Sequence, residues 1–421
     1  MELVLQHEKG KLTLKLQSAG VNKSNEIQLS AIRCFGLFLV IVSLFPWVNF
    51  SLNNMDSQPW QYILSIGYFI FRINGLIIPK NMRFYLIYVL LGIFFGFLFN
   101  DLSFNFGSVR GLGNYIGIFL LYVCIIDISK RYGFPIKTIL VANFIWLFAG
   151  FIEYFGIYNF TTIVNSRTSI DRGVTSLATE PTFFAIQLFF MSFIYLVYNN
   201  YKVYKIQLVA IILNIFSIVV IAKSSMGILF LIIATFSLIT FLLITKIRIA
   251  FVWAALVLAV VITLNSITIT VDSRMFQLVD LLASGGVRAL FYTDASLNGR
   301  LQDIVVPGVY FINNFGLPAG FNSYGNAELK LVTLLWNDFF WYQPGGNIIM
   351  SYIMSMIVEI GIFGVFAYFA LSMAHRDLDL KKCFEHVTIF VLLLAAIPLA
   401  NAMPIYLFIA LLLRPSSKVN V

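Results

Sequence analysis

The chain has 421 residues, of which 60% are hydrophobic and only 11% are charged. Soluble globular domains carry about 25% charged residues, so this composition excludes that class and indicates an all-α polytopic membrane protein. The formal net charge of +9 would suit a nucleic-acid partner. The basic residues are scattered over short loops and form no patch, so the partner we expect is the lipid bilayer and no nucleic acid.

The N-terminal residues 1–30 have mixed polarity and carry no cleavage motif typical of a signal peptide. We predict a cytoplasmic N-terminal tail here, with a short amphipathic element on the inner leaflet over Leu3 to Leu16 as the alternative. The three cysteines, Cys34, Cys124 and Cys383, define neither a disulfide framework nor a zinc site.

A membrane-spanning helix needs about 20 predominantly apolar residues, and such runs recur along the chain. The predicted spans are 31–50, 60–79, 83–100, 114–129, 135–156, 181–199, 206–222, 226–245, 249–270, 347–373 and the long run 387–413. With the N-terminus inside, every alternate loop is basic, as the positive-inside rule expects. The last run contains Pro398 and Pro404, so it is either two short segments, which we favour, or one broken helix.

The resulting organisation is a bundle of 11–12 transmembrane helices with a folded extracytoplasmic loop. It has four parts: a tail over 1–30, a transmembrane bundle over 31–270 with an outer loop at 157–180, a large extracytoplasmic loop over 271–346, and C-terminal helices with a cytoplasmic tail over 347–421. Long loops without a function are uncommon, so we expect the loop 271–346 to fold over the outer end of the bundle and to cap a functional site there.

A first candidate site lies between Arg172 and Pro181, just before an apolar run. If the intervening segment is helical, Arg172 and Glu180 share a helix face. If it is extended, Pro181 is the first residue of the next helix and Glu180 lies at its positive end. The alternative is structural: Glu180 is only a helix cap, and Arg172 is its salt-bridge partner or a headgroup anchor.

A second candidate site follows Asn298 and Gly299, where Arg300 precedes a Gly-rich stretch that includes Asn322. Guanidinium groups bind phosphate oxygens through paired hydrogen bonds, so two arginines from separate loops suit a diphosphate. The alternative for Arg300 is a solvated arginine paired with Asp303.

Several other charged residues fall on or near the predicted outer face. Lys223 lies in a tight turn between two spans and either contacts a lipid phosphate or marks the interface. Further basic residues are Arg274, Arg288 and Lys330. Arg72 and Glu359 fall within predicted spans, and we expect Arg72 to reach towards the cytoplasmic interface and Glu359 to be hydrogen-bonded inside the bundle.

Metal ligation is not expected. All three histidines (His7, His375 and His386) fall on the predicted cytoplasmic side, and the outer face carries no Asp-x-Asp pair. We therefore predict no metal site and no cofactor.

Together these motifs resemble those of the O-antigen polymerase (Wzy) family, within the superfamily that also contains O-antigen ligases. The matching pieces are Arg172–Pro181, Ser224–Gly227, Asn298–Arg300 with the Gly-rich stretch after it, and Asn347 followed by Glu359–Gly364. The ligase branch usually carries a histidine before the asparagine of the last piece. Gly346 occupies that position here, which favours the polymerase branch.

The resemblance implies a GT-C-like fold. It also implies glycosyl transfer at the outer face of the bacterial inner membrane from an undecaprenyl-diphosphate-linked glycan. The product would be a surface polysaccharide, either O-antigen or capsule, and a chain-length regulator protein is an implied partner. Arg172 and Arg300 are the predicted diphosphate ligands and Glu180 is the predicted base. Arg274, Arg288, Lys223 and Asn322 are predicted to bind substrate. The alternatives are an O-antigen ligase or protein O-oligosaccharyltransferase, and a flippase for lipid-linked oligosaccharide.

Overall fold

The computed structural model contains a helical bundle preceded by a short β-hairpin. It describes residues 2–8, 11–17, 23–49, 57–99, 106–167, 173–245, 281, 284–286, 288–289, 291–321, 324, 340–341, 349–372, 380–395 and 397–415. The helices are α1 Lys23–Ser43, α2 Trp60–Arg72, α3 Lys80–Phe99, α4 Phe106–Tyr132, α5 Ile136–Tyr154, α6 Pro181–Tyr198, α7 Lys205–Phe216, α8 Ser225–Thr245, α9 Ala295–Asn313, α10 Tyr352–Ile360, α11 Ile362–Ser372, α12 Leu380–Leu394 and α13 Met403–Leu413.

Within the described part of the chain, five helices are long and apolar enough to cross a membrane, namely α3, α4, α5, α6 and α8. Each coincides with a span predicted from the sequence, so the coarse prediction of an all-α membrane protein is confirmed. The span predicted at 249–270 lies outside the described residues. The total of eleven or twelve spans therefore stays a prediction.

The N-terminal segment forms an antiparallel hairpin, which the sequence analysis did not predict. Strand β1, Glu2–Glu8, pairs with strand β2, Lys11–Gln17. In the register of the pair, Leu3 lies opposite Leu16 and Leu5 opposite Leu14. Strict alternation of apolar and polar residues in β2 favours a strand, because side chains of a strand point alternately to its two faces.

Helix α6 forms the centre of the bundle, and nearly every one of its residues is buried. Two small residues let its neighbours approach closely. A Cβ atom added at Gly150 of α5 would lie 2.7 Å from the Phe184 ring, and one added at Gly227 of α8 would lie 2.6 Å from the Cβ atom of Ala185. Close approach at small residues is the usual packing solution between helices in membranes.

Helices α5, α6 and α7 are also joined by a buried polar network. The side-chain amides of Asn143 and Asn214 donate to each other's oxygen atoms, both at 2.8 Å. Asn214 also donates to the hydroxyl of Ser192 at 2.8 Å, and the Tyr195 hydroxyl donates to Asn143 at 3.2 Å. Polar groups in hydrocarbon are costly unless paired, so this network fixes the relative positions of the three helices.

The long apolar run at 387–413 is divided into α12 and α13, and a return of the C-terminus to the cytoplasm through two segments stays a prediction beside the broken-helix alternative. The chain after α13 is held by an ion pair. Arg414 donates to both carboxylate oxygens of Glu385 on α12, at 2.9 and 2.6 Å, and the Tyr201 hydroxyl donates to the same carboxylate at 3.0 Å. The α6–α7 turn, α12 and the end of α13 therefore meet at one point.

Where the sequence predicts one span over 347–373, the structure has two helices, α10 and α11, which meet at a break at Gly361. Gly361 has φ 65° and ψ −146°, a region that is essentially restricted to glycine. The chain after α9 fills the break: the N–H of Ile362 donates to the carbonyl of Gly316 at 2.7 Å, and the N–H of Ala319 donates to the carbonyl of Val358 at 2.8 Å. The segment after α9 is thus bound to the middle of the α10–α11 pair.

Candidate functional site

The segment that follows Arg172 packs directly on the turn between α7 and α8. The N–H of Val174 donates to the carbonyl of Ile221 at 3.1 Å. A Cβ atom at Gly173 would lie 2.2 Å from the carbonyl oxygen of Ala222, so only glycine fits. Two segments that the sequence analysis assigned to the site are therefore in contact, although about 50 residues separate them.

A carboxylate holds this segment from the other side. Glu153, near the end of α5, accepts hydrogen bonds from the N–H of Ser176 at 2.6 Å and from the hydroxyl of Thr175 at 3.1 Å. Ser176 adopts φ 54° and its hydroxyl donates to the carbonyl of Trp146. A positive φ at a residue other than glycine is uncommon and is often stored at functional sites. Sequence reasoning missed Glu153, because it falls inside an apolar run.

The turn between α7 and α8, which Gly173 contacts, also has an unusual backbone. Helix α7 ends in a π-helical segment, Ser217–Ile221, in which the N–H of Ala222 donates to the carbonyl of Ser217. Lys223 follows with φ 45° and an exposed side chain. Turns of π-helix occur frequently at functional sites. The carbonyl of Ile221 lies at the end of this helix, where carbonyl groups have no partner within the helix, and it accepts from Val174 instead.

Glu180 occupies the N-cap position of α6. Its backbone is extended, with φ −140° and ψ 152°, and Pro181 is the first helical residue, as predicted for the extended alternative. The side chain is half-buried and makes no capping hydrogen bond, so a purely capping role is not supported. The carboxylate lies at the positive end of the helix, where a negative charge is favoured.

Arg300 lies on the first half of α9, whose N-terminus is capped by Asp294 through a 2.8 Å hydrogen bond from the N–H of Leu297. Arg300 is partly exposed and its charge acts on Asp303, one turn further along the helix. Burial raises the pKa of the Asp303 carboxyl from 3.8 to about 7, while Arg300, the N–H of Met350 and the hydroxyl of Tyr324 lower it. The effect of Arg300 on Asp303 supports the structural alternative, in which Arg300 is a partner of Asp303. The ligand-binding role of Arg300 stays a prediction.

The structure describes only some of the remaining predicted site residues. Lys223 and Arg288 are exposed, and the guanidinium of Arg288 lies 5.5 Å from the centroid of the Tyr292 ring. The other predicted ligands fall outside the described residues; these are Arg172, Arg274 and Asn322. The predicted convergence of Arg172 with Arg300 thus stays a prediction.

Arg72 and Glu359, which the sequence places within predicted spans, both have partners. The Arg72 guanidinium lies 3.5 Å from the carboxylate of Asp127 on α4, which also accepts from the Tyr68 hydroxyl at 2.9 Å. Glu359 accepts a 2.8 Å hydrogen bond from the Tyr115 hydroxyl, which agrees with a hydrogen-bonded position inside the bundle. Both charges thus help to join helices.

Comparison of the chain with protein families, curated proteins and solved structures finds no match. The fold and composition define the class as an all-α membrane protein with a small N-terminal hairpin. The candidate functional site therefore consists of the residues around Gly173–Glu180 and of those on α9.

Proposed function

We propose that this chain is a membrane glycosyltransferase that polymerises polyprenyl-diphosphate-linked oligosaccharide repeat units. Its product would be a surface polysaccharide, O-antigen or capsule, assembled at the outer face of the bacterial cytoplasmic membrane. Beyond the sequence resemblance, one observation supports the proposal: the segment after Arg172 packs against the turn that contains Lys223. Gly173 in this segment lies close to the carbonyl group of Ala222.

The backbone around these residues supports a rigid site. Ser176 and Lys223 both have positive φ angles, and Glu153 fixes the first of them through a short hydrogen bond. Rigid placement matters because groups that stabilise a transition state must be oriented before the reaction begins. An active site assembled from loops on a packed helical bundle meets that requirement.

The proposed reaction moves a growing glycan from its lipid diphosphate onto a sugar of an incoming lipid-linked unit. Negative charge develops on the diphosphate as the anomeric bond breaks, so guanidinium groups placed there favour the transition state over the ground state. Arg172 and Arg300 are the residues proposed for this role. Glu180 is proposed as a carboxylate beside the reacting sugar, at the N-terminus of α6.

The test is reconstitution of purified protein with a lipid-diphosphate-linked repeat unit. The proposal predicts a ladder of polymers attached to lipid diphosphate. Transfer of one unit to a lipid core or to a protein would instead identify a ligase or protein O-oligosaccharyltransferase. Movement of unchanged substrate across the liposome membrane would identify a flippase, and either result would overturn the proposal.

A further inference from the structure

Helix α9 carries a buried amide without a partner. Gln302 has no exposed surface, and neither its side-chain oxygen nor its nitrogen has a hydrogen-bond partner among the residues that the structure describes. A buried polar group left unpaired costs free energy that folding must recover elsewhere, so such a group in a folded protein calls for an explanation. By contrast, the buried amide of Gln187 on α6 is half paired: its nitrogen donates to the carbonyl of Leu44 at 3.1 Å, and only its oxygen has no partner among the described residues.

A second buried side chain with an unpaired atom follows Gln302 directly in the chain. Asp303 is 5% exposed, and within the described part of the chain its Oδ1 atom has no hydrogen-bond partner. The carboxyl is also within one helical turn of Arg300, which is partly exposed. The two residues therefore offer an amide donor, an amide acceptor and a carboxylate oxygen, and the carboxylate lies about one turn after the partly exposed Arg300.

We propose that Gln302 and Asp303 bind the acceptor sugar of the glycosyl transfer. Sugar hydroxyls both donate and accept hydrogen bonds, and the free amide and the free carboxylate oxygen match both capacities. The inference rests on the proposed function, and it adds the place where the acceptor binds. It also makes Asp303 the base that accepts the proton of the acceptor hydroxyl, a role that the sequence had suggested for Glu180.

The acceptor oxygen forms a bond to the anomeric carbon of the donor, and the bond from that carbon to the diphosphate oxygen breaks. The electron pair of the broken bond leaves with the diphosphate, whose charge Arg300 stabilises. The hydroxyl proton passes to the Asp303 carboxylate. A carboxyl whose pKa is about 7 can both accept this proton and release it to water near neutral pH.

The first test compares the melting temperatures of Gln302→Leu and Gln187→Leu in detergent, without substrate. Gln302→Leu removes an unpaired amide, and we expect its melting temperature to rise by about 2 °C or more. Gln187→Leu removes a formed hydrogen bond, so its melting temperature should fall. A fall for Gln302→Leu as well would mean that the amide supports the fold, and it would overturn the proposal.

The second test measures polymerisation kinetics of active wild-type protein and its variants. Gln302→Leu should raise KM for the acceptor about tenfold, as expected for a lost hydrogen bond, whereas Gln187→Leu keeps the wild-type KM. Asp303→Asn should lower kcat about 100-fold or more and remove the rise of activity with pH near 7. Unchanged kinetics in both α9 variants would overturn the inference and leave the polymerase intact.

Failure of the proposed function looks different. Wild-type protein that extends no repeat unit contradicts the polymerase, while the melting comparison still decides whether Gln302 is held unpaired for a ligand. Loss of activity in Glu180→Gln with full activity in Asp303→Asn would identify Glu180, and not Asp303, as the base that accepts the proton.

Discussion

The carboxylate of Glu153 accepts a 2.6 Å hydrogen bond from the N–H of Ser176, the residue with φ 54° in the segment between Arg172 and Glu180. This contact joins the end of α5 to the candidate site. It holds a strained backbone in place from a helix that itself contributes no predicted ligand. Several consequences of this contact and of its neighbours can be measured.

Substitution of Glu153 should loosen the candidate site. Glu153→Ala removes the acceptor for Ser176 and Thr175, and hydrogen bonds to a charged group contribute about 1.5–3 kcal/mol. We expect a lower melting temperature and loss of chain extension. Tyr154→Phe, at the exposed next position, is the matched control and should change neither quantity. Wild-type polymer from Glu153→Ala would remove this carboxylate from the account.

Gly173 should tolerate no side chain. A Cβ atom at this position would lie 2.2 Å from the Ala222 oxygen, so Gly173→Ala must separate the two segments of the candidate site. The expected result is loss of polymer at a normal protein level. Gly113→Ala is the control, because nothing lies within 4 Å of a Cβ atom there, and alanine in a helix is favoured by about 1 kcal/mol over glycine. Equal activity in both variants would contradict the packing described.

The Asp303 carboxyl should make stability depend on pH. Its pKa is raised from 3.8 to about 7, so between these values the folded protein holds a proton that the unfolded chain releases. The contribution of Asp303 to stability is therefore greatest in acid and is lost as the pH rises from about 4 to about 7. Asp303→Asn should be more stable than wild type at pH 8, with a flatter profile. Melting curves between pH 5 and pH 8 test this, and parallel profiles would refute it.

The ion pair of Glu385 with Arg414 should matter more than a partly exposed one. Its side chains are only 4% and 8% exposed, and breaking a buried pair costs about 3–5 kcal/mol. Glu385→Gln should therefore lower the melting temperature strongly. Arg131→Ala breaks a pair with Asp127 in which the arginine is 39% exposed, so it should cost about 1 kcal/mol or less. The reverse order of the two effects would contradict this assignment.

Much of the bundle was predictable from the sequence, because long apolar runs have few alternatives in a membrane. The start of α6 at Pro181 followed from the preference of proline for the first helical position. The break at Gly361 did not, since it depends on the carbonyl of Gly316 approaching from another part of the chain. The alternation of apolar and polar residues in β2 was present in the sequence, but a tail was the favoured interpretation.

The candidate site was predictable only as separate pieces. The motifs around Arg172 and Lys223 were visible locally, whereas their contact through Gly173 and Ala222 is a long-range relationship. Glu153 and Gln302 carried no local signal, since each is a single polar residue whose meaning depends on its burial and its partners. Periodicity and spacing describe one segment at a time and cannot supply that information.

The most direct measurement of the central claim is the product made by purified Arg300→Lys and Arg172→Lys proteins from a lipid-diphosphate-linked repeat unit, beside wild type and the two alanine variants. The account predicts a polymer ladder from wild type, none from either alanine variant, and little from either lysine variant, because an ammonium group cannot form the paired hydrogen bonds of a guanidinium group with phosphate. A wild-type ladder from Arg172→Ala or from Arg300→Ala would contradict the proposed diphosphate site.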